Sequence, residues 1–286
     1  MTQTEENSMP MNEPPSSVAQ IGIITKYEMR NYITARRFYL LLGIALAFSA
    51  LFTFLIGHYG LPIGGGALGF YFEWWGGSAK YIIVFGAIVF GGDAISGEFQ
   101  NKTGYFLVGN PIRRSSIYIG KYLAAVIASL IITGIYAVIM LLNEFYYYGT
   151  SIQWQFDQSF VFTLVFLISA MGLTFLLSSA FKTISYSILG AVVLFVGFDI
   201  IESLDSAFVH IEPWFLLTYG SEIVSDIFIS PYPVHSTISD TGHILTTQMT
   251  MTTYNPTVPE GLAIMLAYFA VTSVLGLIIF ARKEFN

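Results

Sequence analysis

Six apolar runs recur along this chain, each close to the length at which a helix can cross a bilayer. Phe38–Ile56, Tyr122–Leu142, Phe160–Leu177 and Gly261–Phe280 are nearly continuous, while Lys80–Ile95 and Ile184–Ile201 are shorter. Gly86, Gly91 and Gly92 interrupt the run that starts at Lys80. Roughly 20 predominantly apolar residues span the hydrocarbon core as a helix. Composition agrees: 55% of the residues are hydrophobic, only 10% are charged, and the mean hydropathy is +0.66. A water-soluble domain carries about 25% charged residues, so too little polar surface remains to coat a soluble particle. The expected class is an all-α polytopic membrane protein with six transmembrane helices.

Even crossings place both ends of the chain on one side, and the basic residues choose the side. Lys26, Arg30, Arg36, Arg37, Lys102, Arg113, Arg114, Lys121, Lys182, Arg282 and Lys283 fall with the termini, and only Lys80 falls opposite. Lys and Arg concentrate in cytoplasmic loops, so both termini are expected in the cytoplasm of a multi-pass protein of the cell membrane. Loop acids such as Glu73, Glu144, Asp157, Glu202, Asp205 and Glu222 are expected on the outside. The net charge of −6 makes nucleic acid an unsuitable partner, and the absence of Cys removes disulfides and thiolate metal sites.

Four parts lie outside the spans. Residues 1–16 are acidic and Pro- and Ser-bearing, and are expected to be a disordered tail ahead of one transmembrane unit, 17–286. Residues 17–37 read as an amphipathic helix in the inner interface, with Ser17 and Gln20 as a capping box. In that helix Lys26, Arg30 and Arg37 would face anionic lipid headgroups. Residues 202–260 form the longest outer connection. Its first half is amphipathic, and its Thr-, Ser- and Pro-rich second half reads as an extended loop. The aromatic clusters Phe70–Trp75 and Phe145–Tyr148 are expected in the outer interfacial belt.

The fourth part, 96–121, is the only sizeable inner loop and is patterned as an elbow. Glu98 and Lys102 precede an apolar patch, Tyr105–Val108; Gly109, Asn110 and Pro111 then break the chain, and a helix restarts at Ile112–Tyr118. An apolar patch at an exposed cytoplasmic tip calls for a protein partner. This segment resembles the coupling region of type-2 ABC exporter permeases. The matching positions are Gly97 and Glu98, Thr103, Leu107, Pro111, Arg114, Ile117, Gly120 and Lys121, with Lys102 standing where the family carries Gly. The resemblance implies that Leu107 and Val108 at the tip, with Glu98, Thr103, Pro111, Arg114, Ile117, Gly120 and Lys121 around them, meet a cytoplasmic ABC ATPase. It also implies a homodimer. No GxxxxGK[ST] phosphate loop occurs in the chain, so ATP and Mg would be bound by the separate ATPase and no cofactor by this chain.

Other chemistries find little support. Ionisable groups at the middle of a span mark ion-coupled pumps, yet Asp93 and Asp199 stand near span ends. HExxH is absent, which removes an intramembrane zinc protease. His235 and His243 with Asp240 could hold a metal, but eight residues of loop separate the two His and no metal site is assigned. The expected function is the permease subunit of an ATP-driven exporter, itself not catalytic, moving an apolar or amphiphilic cargo. The alternative is a membrane anchor or immunity-type protein that uses the same elbow to hold a soluble partner.

Overall fold

The computed structural model describes residues 16–59, 66–101, 112–149, 152–205, 211–244 and 247–283, with the backbone alone for 59, 238–244 and 247–251. The expected 1–16 tail lies outside these, except for Ser16. Six helices are long and apolar enough to cross a membrane: Arg36–His58, Gly66–Gln100, Arg114–Tyr148, Trp154–Ala180, Ile184–Leu204 and Val258–Arg282. They are called here the first to sixth spans. An N-terminal helix, Ser17–Thr34, precedes them. Its cap is Ser16, whose hydroxyl accepts from Ala19 N at 3.3 Å, so the start lies one residue ahead of the Ser17 expected.

The second span departs most from its sequence outline, since it starts at Gly66 and not at Lys80. Thirty-five residues at 1.5 Å each reach about 52 Å, well beyond the ~30 Å of hydrocarbon. It is not uniform: π-helical turns occupy Phe72–Gly76 and Ala87–Gly91, and the helix breaks before resuming at Ser96–Gln100. Its extension carries Phe70, Tyr71, Trp74 and Trp75 into the core, where all four are fully buried. Tyr71 stacks on Phe156 and Phe228, and Trp74 on Phe52. The first aromatic cluster is therefore packing and not belt, whereas Tyr146 of the second remains exposed. Glu73 and Glu144 likewise belong to helices and not to loops, and Glu144 is buried.

Spans two, three and four form the centre, and small residues let them close. Gly86 meets Ser129, and Gly91 meets Thr174 and Met171. A Cβ at Gly172 would stand 2.6 Å from Thr272 Oγ1 of the sixth span. Helices in lipid gain from such contact because there is no hydrophobic drive to bring them together. Spans one, five and six wrap this centre with large apolar side chains facing outward, among them Leu40, Phe54, Val193 and Val271.

The connection between the fifth and sixth spans is more structured than its composition suggests. Two short helices, Leu217–Ser221 and Ile223–Asp226, bury Leu217, Tyr219, Ile223 and Val224 against the bundle instead of lying on its surface. Gly220 and Gly261 permit this, since a Cβ on Gly261 would meet Gly220 O at 2.7 Å. Ser159 Oγ ties the segment to the fourth span by donating to Val224 O at 2.5 Å. The Thr-rich half forms an antiparallel hairpin, β1 (Ser236–Ile244) with β2 (Thr247–Tyr254), in register Ser236 to Tyr254. Thr is a good strand former, which outweighs the loop signal. The sixth span then begins with a capping box between Thr257 and Glu260.

Candidate coupling site

The candidate site lies where the N-terminal helix meets the ends of the spans at the termini-bearing end. Thr103, Leu107, Val108 and Pro111 lie outside the described residues, so the structure gives the two shoulders of the expected elbow and not its tip. Both shoulders are anchored on one buried lysine. Lys121, 5% exposed, sits about two turns into the third span. Its Nζ lies 2.6 Å from Glu28 Oε1 of the N-terminal helix and 2.8 Å from Glu98 Oε1 of the second span. A buried ammonium is tolerated only when paired and hydrogen-bonded, and here two carboxylates from two different helices supply the pairing.

The N-terminal helix is fastened alongside. Gly120 lets it approach: a Cβ there would stand 2.7 Å from Ile24 Cγ2. Thr25 Oγ1 donates to Gly120 O at 3.2 Å, and Gln20 Oε1 accepts from Arg113 N at 3.3 Å. Gln20 thus serves the third span's first turn and not a capping box. Ile117 is buried beneath the same contact. Lys26 and Arg30 point outward, beside exposed Ile23 and Tyr27, as an interfacial helix requires. Arg37 differs from its expected place at the headgroups. It pairs with Asp93 and lies over the Tyr32 ring, 4.9 Å from its centre. The reason is Asp93, a carboxylate in the second span that needs a nearby cation. Tyr32 donates to Phe90 O at 3.2 Å, and burial holds its phenol well above the ordinary range.

The break in the second span leaves backbone N–H groups without helical partners. Ser178 Oγ of the fourth span accepts from Ile95 N at 3.0 Å and Ser96 N at 2.9 Å. Two cations then close the ends of neighbouring helices. Arg114 Nη1 donates to Ala281 O and Lys283 O, both at 2.9 Å. Lys283 Nζ donates to Ser179 O at 2.8 Å, Ala180 O at 3.2 Å and Phe181 O at 2.9 Å, and stands 4.3 Å over the Phe99 ring. Cations at the negative ends of helices are well placed. Gln100 Oε1 accepts from Ile184 N at 2.8 Å, which brings in the fifth span. The shoulders of residues 102–111 are thus tied to the N-terminal helix and to every span from the second to the sixth.

Of the expected residues, the structure gathers Glu98 and Lys121 into one contact and sets Gly120 and Ile117 beside it. Arg114 acts some distance along, at the end of the sixth span. Sequence reading missed Glu28, Ser178 and Lys283. Glu28 had a signal, as an acid in a basic helix; Ser178 had none.

At the opposite end, a polar cavity of about 270 Å³ is bordered by Lys80, Asp199, Glu202, Asp205, Tyr219 and Glu222. An apolar cleft of about 150 Å³ adjoins it between the second and fifth spans, sharing Lys80, Tyr81 and Asp199. Thr218 Oγ1 donates to Glu202 Oε2 at 3.1 Å. Burial, with Glu202 and Asp226 close by, holds Glu222 well above the usual carboxylate range. Burial likewise pushes Asp226 up to about 7.

The family whose model is described as ABC-2 family transporter protein matches residues 3–285. No curated protein matches the chain.

Proposed function

The chain belongs to the ABC-2 transporter family as a membrane permease subunit, and from that premise we propose that it exports an amphiphilic cargo as a homodimer driven by a separate cytoplasmic ATPase. In this reading the termini face the cytoplasm of the cell membrane. Glu98, Thr103, Leu107, Val108, Pro111, Arg114, Ile117, Gly120 and Lys121 build the coupling elbow, and ATP and Mg belong to the partner. Leu107 and Val108 enter the partner's groove. Lys121, Glu98, Gly120 and Ile117 act behind the contact as positioning residues, and Arg114 links the elbow to the end of the sixth span.

The observation that carries this reading is the buried Lys121 between Glu28 and Glu98. A displacement of the elbow cannot be absorbed at its base, because its two shoulders and the N-terminal helix share one desolvated charge. Packed helices respond to such a push by moving as bodies. Cargo chemistry follows from the opposite end. The cleft between spans two and five suits an apolar portion, and the polar cavity above it suits a neutral or cationic head, since Asp199, Glu202, Asp205 and Glu222 surround the single Lys80.

Co-purification tests the proposal. Leu107→Asp with Val108→Asp should abolish recovery of the ATPase while the permease still inserts, because a charge in an apolar groove costs several kcal/mol. Recovery of the ATPase at the wild-type ratio would remove the elbow as the contact.

A further inference from the structure

Three side chains from separate stretches of the outer segment converge beside the base of the hairpin. Glu212 precedes the two short helices, His235 precedes β1, and Glu260 caps the sixth span. One ligand atom from each, the His ring nitrogen and two carboxylate oxygens, all lie within 4.8 Å of one another. We propose that Glu212, His235 and Glu260 form a binding site for a zinc-class divalent metal ion that fastens the hairpin base to the sixth span. The sequence alone suggests His243 and Asp240 as partners of His235; the side chains of those two lie outside the described residues, and the partners beside His235 are carboxylates 23 and 25 residues away.

The orientation of each ligand supports a metal over a simple ion pair. His235 Nδ1 faces Asn255 O at 3.1 Å, so Nδ1 carries the proton and Nε2 is left with its lone pair toward Glu212. A histidine ligand held in this way by a backbone carbonyl is the usual arrangement around zinc. The backbone that carries the ring is also fixed, because Asn255 N donates to His235 O at 2.9 Å and Asn255 Nδ2 donates to Val234 O at 2.8 Å. The carboxylates are also held from behind. Tyr219 donates its hydroxyl to Glu212 Oε1 at 2.9 Å, which leaves Oε2 toward His235, and Thr257 N donates to Glu260 Oε2 at 3.2 Å.

One of the three spacings supports the same reading. His235 Nε2 and Glu212 Oε2 are 3.3 Å apart. That is long for a charge-assisted hydrogen bond, which runs at about 2.7–2.9 Å. It equals the edge of a tetrahedron whose bonds are about 2.0–2.1 Å, the zinc distances to nitrogen and oxygen. Two carboxylates and one imidazole leave a fourth position for water. The nitrogen ligand favours zinc and its neighbours over calcium or magnesium, which take oxygen ligands. His235 and Glu212 are partly exposed, so the ion has a path in.

The test uses the full-length chain in detergent, purified on a tag without histidines. Zinc is counted by mass spectrometry after dialysis, and affinity is taken from competition with a chelating dye. The expected result is one zinc per chain, at least tenfold weaker binding in His235→Ala and in Glu212→Gln, and no change in His58→Ala. Added zinc should raise the melting temperature of the wild type and not of His235→Ala. Glu212→Gln preserves shape, so it decides the matter if His235→Ala does not fold. Wild type without stoichiometric zinc, variants that bind as tightly as wild type, or equal displacement by calcium would each overturn the site.

Discussion

The two ends of this bundle handle charge in opposite ways. At the termini-bearing end every buried charge named above has a partner from another helix: Lys121 with Glu28 and Glu98, Arg37 with Asp93. Lys283 and Arg114 close helix ends there through backbone carbonyls. At the other end carboxylates crowd around Lys80, and burial raises the carboxyl groups of Glu222 and Asp226 above their usual range. The first pattern makes a rigid knot, since breaking any member leaves a desolvated charge. The second makes an adjustable lining whose charge changes with protons or with a bound cation. The proposed exporter, pushed at one end and opened to cargo at the other, would need that division.

The largest effect should come from the knot. Lys121→Met leaves Glu28 and Glu98 buried against each other, and loss of one partner of a buried pair costs about 3–5 kcal/mol. Thermal unfolding in detergent should show a large fall in melting temperature; a change under about 1 kcal/mol would mean that the knot is ornamental.

An effect of comparable size and opposite character belongs to the other end. Asp226 is 7% exposed and Oδ2 has no hydrogen-bond partner among the described residues. Its folded pKa is raised to about 7 from an ordinary 3.8. The fold therefore holds a proton that the unfolded chain has released. That contribution is complete below about pH 4, declines as pH rises, and is lost above about 7, at up to ~1.4 kcal/mol per pH unit. Melting temperature should fall between about pH 4 and 7 and level off above, and Asp226→Asn should flatten the profile. An unchanged slope in the variant would assign the effect to Glu222, beside Glu202.

Arg114→Ala should cost only about 1 kcal/mol, because solvent at this partly exposed site cuts its two bonds to the worth of an ordinary hydrogen bond. Its larger mark should fall on cargo-stimulated ATP hydrolysis, because the elbow loses its link to the sixth span. Full stimulation in the variant would leave Arg114 as a helix cap alone. Smallest of all, Lys26→Ala and Arg30→Ala should each shift stability by less than about 0.5 kcal/mol, as exposed residues do. A larger shift would place these side chains inside the knot.

Much of this was legible in the chain because hydropathy is local. Each of the six spans contains the apolar run that marks it, and only residues 181–183 separate spans four and five. The second span was read short because Glu73 and the glycines at 64–66 and 76–77 interrupt its apolar signal, although Trp74 and Trp75 are core. The hairpin was missed because Ser, Thr and Pro mark loops as often as edge strands. The knot was only half legible. Glu98 and Lys121 share a local pattern, but Glu28 lies 93 residues from Lys121, and nothing local joins them. The same holds for Glu212, His235 and Glu260, which meet only once the outer helices have packed.

The division between the two ends requires that they face opposite compartments, and the absence of native cysteine makes that directly measurable. Ser115 lies exposed at the start of the third span beside the knot, and Ser236 lies exposed at the start of the hairpin. With a membrane-impermeant thiol reagent, Ser236→Cys should label in intact cells, while Ser115→Cys should label only after permeabilisation, as the positive-inside distribution requires. Labelling of Ser115→Cys in intact cells, with Ser236→Cys protected, would put the knot outside and contradict its role as the seat of an ATP-driven push.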